Sequence, residues 1–356
     1  MNTTRYDVVI VGGGAAGLSA ATTLGRALRS VLVIDSGTPR NAPAAGVHGY
    51  LSRDGMNPRE LLAIGRSEVL SYGGTVVDGE AVSAHLSPDG FEVILGDDRR
   101  FSGRRLLVTT GLTDELPPIN GLQEQWGKGV VHCPYCHGWE IRGQRIGVLG
   151  TGPLSVHQAL LFRQWSPDVT LFLNDTVEPT DEEWDKLAAR SVTVVDGALA
   201  SVDAVGGVLT GVTLRQGSSF SVTALAVGTR MEARSVLLES LGLRPQVHPS
   251  GAGRCIETDA MGATAVRGVY AAGNVANIMA QVITAAAEGV MAGARINADL
   301  IEEETRWAVE GNFGPFSAAS EAAVCATVLG PRRHGLDDRQ RTAGKGPATR
   351  VKQESA

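Results

Sequence analysis

An apolar run that breaks directly into glycines constrains this chain more than any other feature. Tyr6 to Val11 reads as a buried strand, and GGGAAG (12–17) follows it without a spacer. Small and apolar residues then run as a helix to about Leu28, and VLVID (31–35) reads as a second strand. Strand, G-x-G-x-x-G turn, helix and parallel strand make one β-α-β unit. Gly12, Gly14 and Gly17, with Ala15 and Ala16 between them, give a turn free of bulk. A pyrophosphate can meet backbone N–H groups there, at the positive end of a helix. Asp35, ending the second strand, is placed to accept hydrogen bonds from an adenosine ribose. Such a turn can also serve only to pack helix on sheet. Strand, helix and terminal acid in one register favour dinucleotide binding.

The unit occurs twice. RIGVLG (145–150) runs into GTGPLS, and VTLFL (169–173) is its second strand. TVVDG stands at 75–79 and again at 193–197, and LLVTTG (106–111) and LAVGT (225–229) close the two halves alike. An internal repeat of this kind predicts two nucleotide-binding folds in one α/β chain. Asn57, Pro58, Glu60 and Gly73 punctuate a helix in the first half, and Thr180 with Glu183 forms a capping box in the second. The second glycine turn is poorer. Gly150 and Gly152 are present, Ser155 stands where a third glycine would be, and Pro153 is expected to begin the helix. Asn174 and Asp175 follow the next strand, with Glu178, Asp181, Glu182 and Glu183 close behind, so no arginine is positioned to grip a 2′-phosphate. NAD(P)H use stays open on the residues alone.

Between the two units lies HCPYCHGWE (132–140). Cys133 and Cys136, followed by His137, allow a covalent haem site, half a zinc site or a redox-active dithiol. Haem attachment calls for an exported chain and an axial partner, and the leader MNTTRYDVVIVGGG has too short an apolar run for a signal peptide or a membrane span. Zinc wants four ligands, and Cys255 and Cys325 stand apart. The dithiol reading is favoured and no metal is expected. With four cysteines in 356 residues and a net charge of −6, the chain fits a cytoplasmic setting and offers no basic surplus for nucleic acid or an anionic membrane.

A glycine turn, a C-x-x-C, a second glycine turn, then GVYAAGN (268–274) and a small-residue helix from about Gln281 resemble the low-molecular-weight thioredoxin reductases. The resemblance covers residues 5 to about 302. CPYCHG, with His137 where thioredoxin reductases carry Asp, is similar to the dithiol oxidases that close disulfides in gliotoxin- and holomycin-type natural products, which also lack the basic NADPH clamp. The resemblance implies non-covalent FAD and a three-layer ββα fold in each of two Rossmann-like domains, the second inserted in the first. The FAD domain would take residues 1–112 and 233–303, the NAD(P)-binding-like domain residues 113–232, and 304–356 a disordered tail. It also implies Cys136 beside the flavin, Cys133 exchanging with substrate, and His137 as acid/base. Gly111, Gly273, Asn274, Gln281 and Val282 would join Gly12, Gly14, Ala15, Ala16, Gly17 and Asp35 around FAD, Asn274 replacing the usual Asp. Met279 belongs to the same segment. The partner would be a small dithiol or disulfide, or a thioredoxin-like protein, and the assembly a homodimer.

Overall fold

A computed structural model describes residues 5–312 and 318–329. In chain order the elements of the first repeat are β1 (Arg5–Val11), α1 (Ala15–Arg26), β2 (Val31–Asp35), α2 (Pro58–Ser71), β3 (Thr75–Asp78), β4 (Ala81–Ser87), β5 (Gly90–Leu95), β6 (Arg100–Val108) and the crossover strand β7 (Leu112–Glu115). The second repeat holds α3 (Leu122–Gln125), β8 (Val130–Val131), α4 (Pro134–His137), β9 (Ile146–Leu149), α5 (Ser155–Phe162), β10 (Val169–Phe172), α6 (Asp181–Ala189) and β11 (Thr193–Val195). It continues with β12 (Leu199–Val205), β13 (Val208–Leu214), β14 (Ser219–Phe220) and β15 (Ala224–Val227). The return path is β16 (Arg230–Ala233), α7 (Val236–Glu239), β17 (Gln246–Val247), β18 (Gly253–Cys255), β19 (Val269–Ala271), α8 (Val282–Asn312) and α9 (Ala318–Leu329).

The first sheet has the order β3-β2-β1-β6-β5-β4, with β19 pairing β6. β1, β2, β3, β6 and β19 run parallel, and β4 and β5 add an antiparallel hairpin. The second sheet, β11-β10-β9-β15-β8, is parallel throughout. The hairpin strands β12-β13-β14 form a separate antiparallel sheet. β7 and β16, where the chain crosses into and out of this second repeat, pair with each other.

Side-chain alternation builds the layers of the second repeat. Ile146, Val148, Val169, Leu171, Ala224 and Ala226 face Val156, Ala159 and Phe162 of α5 and Leu187 of α6. Their neighbours Leu149, Phe172, Leu225 and Val227 face Leu199, Val202, Leu209 and Val212 of the hairpin. Sheet, sheet and helix therefore stack in three layers, the ββα arrangement. In the first repeat Val9, Val11, Leu32, Ile34, Leu106 and Val108 share one core with Phe91, Val93 and Leu95 of β5, which continues the same sheet.

Two local expectations change, and the two expected N-caps form. The helix after the second turn begins at Ser155, with Pro153 in the turn ahead of it. Asn57 caps α2 by accepting from the Arg59 N–H, and no reciprocal bond from Glu60 completes a box; the Thr180–Glu183 box is complete. The terminal helix runs past Glu304 to Asn312, and Ala318–Leu329 is also helical within the stretch read as a tail. Both stretches are free of proline, and 318–329 is rich in alanine. Residues 313–317 and 330–356, with the rest of the expectation on 304–356, lie outside the described residues. Among the described residues no helix is long and apolar enough to cross a membrane.

Candidate active site

Each glycine of the first turn answers to a different constraint. A Cβ on Gly12 would meet the Thr109 carbonyl oxygen at 2.3 Å, and one on Gly17 would meet the Gly12 oxygen at 1.9 Å. Those two are glycine for packing. A Cβ on Gly14 would meet nothing within 4 Å, so the space beside it is a cradle facing away from the protein. Gly14 caps α1 with no side-chain hydrogen bond, which leaves the first N–H groups of the helix without a capping oxygen. Asp35 accepts from the Gly13 N–H at 3.1 Å and pairs with Arg66, which also reaches Asp78. This open cradle, bare helix end and adjacent acid fit the diphosphate and ribose of a dinucleotide such as FAD.

The return segment closes on the same crevice, at the carboxyl ends of β1, β6 and β19. Gly273 has a positive φ of 73°, and a Cβ there would meet the Ala16 Cβ at 3.0 Å. Gly289 of α8 lies against the Ala16 carbonyl, which seats the start of α8 at the first turn. The Asn274 amide nitrogen donates to the Asn277 and Ala280 carbonyls at 3.0 and 2.9 Å, so it folds its own loop. Glu288 accepts from the Gly273 N–H and the Asn277 amide. Gly111, also at positive φ, has open space at its Cβ position, and its carbonyl accepts from the Arg234 N–H. Gln281 approaches Gly49 of the loop after β2, with 3.7 Å between its Oε1 and a Cβ built at 49.

That same loop reaches the dithiol segment. His48, one residue from Gly49, stands 3.6 Å from Glu140 and 3.5 Å from Asp54. Arg40 makes a two-pronged pair with Asp114 of β7 at 2.6 and 2.7 Å. The C-x-x-C segment and the Gln281–Val282 segment thus converge on residues 36–56.

Cys133 is the N-cap of α4, and the N–H groups of Cys136 and His137 bond back to its carbonyl. The two thiols are unequal. Cys133 is pulled down to about 7, chiefly by the Cys136 thiol donating to it, with the Cys136 and Tyr135 N–H groups and the Arg40 charge assisting against burial. Cys136 is pushed up by its hydrogen bond to Cys133, by burial and by the Cys133 charge. One proton on Cys136 and a thiolate on Cys133 describe the reduced pair. Burial pushes the His137 imidazole down, against the Cys133 carbonyl and Glu140. Its Nδ1 is buried without a hydrogen-bond partner among the described residues. His132 is also lowered by burial, and its Nδ1 donates to the Val227 carbonyl, 3.0 Å away. Tyr135 and Trp139 flank the pair as exposed rings; Tyr135 meets Trp165 edge-on, and the Arg142 guanidinium lies 3.9 Å from the Trp139 ring centre. Among the described residues no group of three or more His, Cys, Asp or Glu could hold a metal ion.

The second turn fills itself. The Ser155 hydroxyl accepts from the Thr151 and Gly152 N–H groups at 3.0 and 3.3 Å. Asn174 donates to the Gly150 carbonyl and accepts from the Leu199 N–H, so it is a strut between turn and hairpin. Arg40, Asp114, His132 and Glu140 escaped the sequence reading, and His48 carries no spacing signal in the sequence and reads there as structural. Their partners are far apart along the chain, and the loop carrying Arg40 has no periodicity. Adjacent to C-x-x-C, His132 and Glu140 carried the only local signal.

The pyridine nucleotide-disulphide oxidoreductase model matches residues 6–289. Thioredoxin reductase tcpT of Claviceps purpurea is 32% identical over 83% of this chain and 95% of its own length. Thioredoxin reductase sirT of Leptosphaeria maculans is 30% identical over 82% and 93%. Among solved structures HlmI is 43% identical with a TM-score of 0.80, covering 86% of this chain and 96% of that one. An oxidoreductase from Agrobacterium tumefaciens is 37% identical with a TM-score of 0.79 over 84% and 99%. With two glycine turns flanking a paired dithiol, this chain belongs to the pyridine nucleotide-disulphide oxidoreductase family and is a thioredoxin reductase-like enzyme acting on dithiols or disulfides.

Proposed function

We propose that the chain is an FAD-dependent dithiol oxidase that closes a disulfide in a small dithiol through Cys133 and Cys136, with oxygen as final acceptor. Residues 1–112 and 233–303 serve as the flavin lobe and 113–232 as the inserted lobe. One observation carries the direction of the reaction: the second glycine turn spends its own backbone donors on Ser155, where a nicotinamide dinucleotide would need them. The absence of a basic residue at Asn174 and Asp175 supports the same reading.

His137, neutral at pH 7 because its imidazole is lowered, takes the proton of the first substrate thiol. The resulting thiolate attacks Cys133 of the enzyme disulfide and displaces Cys136, which receives the proton from His137. His137 then takes the second thiol proton. That thiolate attacks the substrate sulfur bonded to Cys133, closing the product disulfide and releasing Cys133 as a thiolate. A thiol lowered to about 7 is a good leaving group at that step. The substrate has lost two electrons and two protons, and the enzyme holds a reduced pair. Bound FAD would accept those two electrons at the crevice built from Gly14, Asp35 and Gly273–Val282 and pass them to oxygen, giving hydrogen peroxide.

The names of the relatives keep a second reading in view, an NAD(P)H-dependent disulfide reductase running the same relay backwards. Anaerobic mixing of the yellow holoenzyme with a small dithiol, NADH and NADPH separates the two. Bleaching by the dithiol alone supports the oxidase. Rapid, saturable bleaching by micromolar NADPH reverses the direction.

A further inference from the structure

Arg40 has no role in the relay just described, yet its surroundings are specific. It rises from the irregular loop of the flavin side, and its guanidinium grips the Asp114 carboxylate with two parallel bonds. Asp114 is 6% exposed and Arg40 28%. Asp114 also accepts from the Thr229 hydroxyl at 2.6 Å. Asp114 belongs to β7 and Thr229 immediately precedes β16, the two paired crossover strands. One planar ion pair therefore ties the flavin-side loop to both crossings at once. A lysine could supply the charge but not the fork.

The clamp stands next to the dithiol: Thr229 lies two residues past Val227, whose carbonyl accepts from His132, the neighbour of Cys133. Arg40 favours the ionised form of both Cys133 and Cys136 and disfavours protonation of His132. The groups facing the pair are Arg40 from the loop, Glu140 on its own segment, which opposes ionisation of Cys136, and His48, His132 and Glu140 around His137. The Arg40 charge acts on both sulfurs. Asp114 holds Arg40 by two hydrogen bonds and favours the protonated form of His132.

We propose that Arg40 is a positioning residue of the thiol chemistry: clamped by Asp114 across both crossover strands, it holds one fixed positive charge beside Cys133 and Cys136 and sets where that pair stands against the flavin-side loop. The inference rests on the dithiol reading and is indifferent to the direction of electron flow.

The test reads Cys133 alkylation by iodoacetamide against pH in the anaerobically reduced holoenzyme, with the modified peptide identified by mass spectrometry. FAD content and melting temperature certify each variant. Arg40→Met should move the midpoint to higher pH and slow the reaction at pH 7 on the order of threefold. Asp114→Asn breaks the same ion pair but leaves the cation uncompensated, so its midpoint should not rise. Arg40→Lys, which keeps the charge without the fork, should raise the midpoint less than Arg40→Met. The contrast in sign is what loosened packing alone cannot produce. A rise in both Arg40→Met and Asp114→Asn, or no change in Arg40→Met, overturns the proposal. If Arg40→Met loses its FAD, Asp114→Asn decides, and a raised midpoint there overturns the proposal. A wild-type Cys133 without enhanced reactivity near pH 7 removes the dithiol reading itself, a failure visible before any variant is made.

Discussion

The two glycine turns, 12–17 and 150–155, leave parallel strands of the same kind and lead into helices of the same kind, but their backbone donors meet different fates. At the first, α1 begins at Ala15 with no capping oxygen, and Gly17 is held to glycine by the Gly12 carbonyl. At the second, α5 begins at Ser155, and the Ser155 hydroxyl takes the Thr151 and Gly152 N–H groups. A repeated fold therefore carries one open anion site and one satisfied by its own side chain. An N–H already bonded inside the protein gains little from a phosphate, because the exchange makes no new hydrogen bond and leaves the serine hydroxyl to find another donor.

The largest test of that contrast uses its matched glycines. Gly14 and Gly152 both have open space where a Cβ would stand, so a side chain at either starts into the same kind of open ground. Gly14→Leu should lose nearly all its flavin on desalting, because the side chain fills the diphosphate cradle. Gly152→Leu should keep it. The ratio of visible to ultraviolet absorbance after gel filtration reads both, and equal retention by the two variants breaks the comparison.

Next in size is the nicotinamide. A charge-assisted grip on a 2′-phosphate is replaced by Asn174 and Asp175, and Asn174 already serves as a strut. Losing such a pair and adding carboxylate repulsion costs several kcal/mol, so flavin reduction by subsaturating NADPH should be about 100-fold slower than by a dithiol, or more. Stopped-flow bleaching under anaerobic conditions measures it. Asp175 leaves slow reduction by NADH compatible with the comparison, since a carboxylate can accept from a free ribose hydroxyl. Rates within a factor of ten of each other for NADPH and dithiol would mean that the second turn opens when it meets its ligand.

The thiols extend the same logic of filled and unfilled donors to α4. The Cys136 thiol and the Tyr135 and Cys136 N–H groups converge on Cys133 and lower it to about 7. Because its ionised form is the one favoured, alkylation of reduced Cys133 should be fast above pH 7 and fall as pH drops through 7, against a free-thiol midpoint of about 8.5. Cys136, pushed up by the same contact, should label slowly across that range. Equal labelling of the two cysteines would undo their division of labour.

Much of this was legible beforehand, and the boundary has physical causes. Glycine turns, buried parallel strands and the TVVDG repeat are local patterns, and each became the expected element. The β12–β13 hairpin has its signal in LASVDAVGGVLTGVTL, which turns at Gly206 and Gly207, both at positive φ, a pattern of a different period from that of the β-α-β units. The early start assigned to α5 followed from treating Pro153 as a first-turn proline; the backbone instead turns through Pro153 and Leu154 and recruits Ser155 as a hydroxyl acceptor. Arg40 and Asp114 are 74 residues apart, and nothing in either neighbourhood announces the other. Pairing at that range is a product of the fold and is visible only once the crossover strands are in place.

The smallest effect isolates Ser155 itself. Its side chain is buried and accepts two backbone donors, so Ser155→Ala leaves the Thr151 and Gly152 N–H groups at a helix start without their oxygen. Loss of an N-terminal hydroxyl of this sort costs about 1 kcal/mol, or a fall of about 2 °C in melting temperature for a chain of this size. The same change vacates the position that the hydroxyl occupies in the second turn. If self-capping is what closes that turn, Ser155→Ala should bind NADH or NADPH measurably more tightly than the wild type while melting slightly lower, two opposite responses to one substitution. Differential scanning fluorimetry with and without nucleotide reads both in one experiment. A variant that melts lower and shows no nucleotide-dependent rise would assign the closure to Asn174, Asp175 and the following acids, with the serine serving only to hold the helix end.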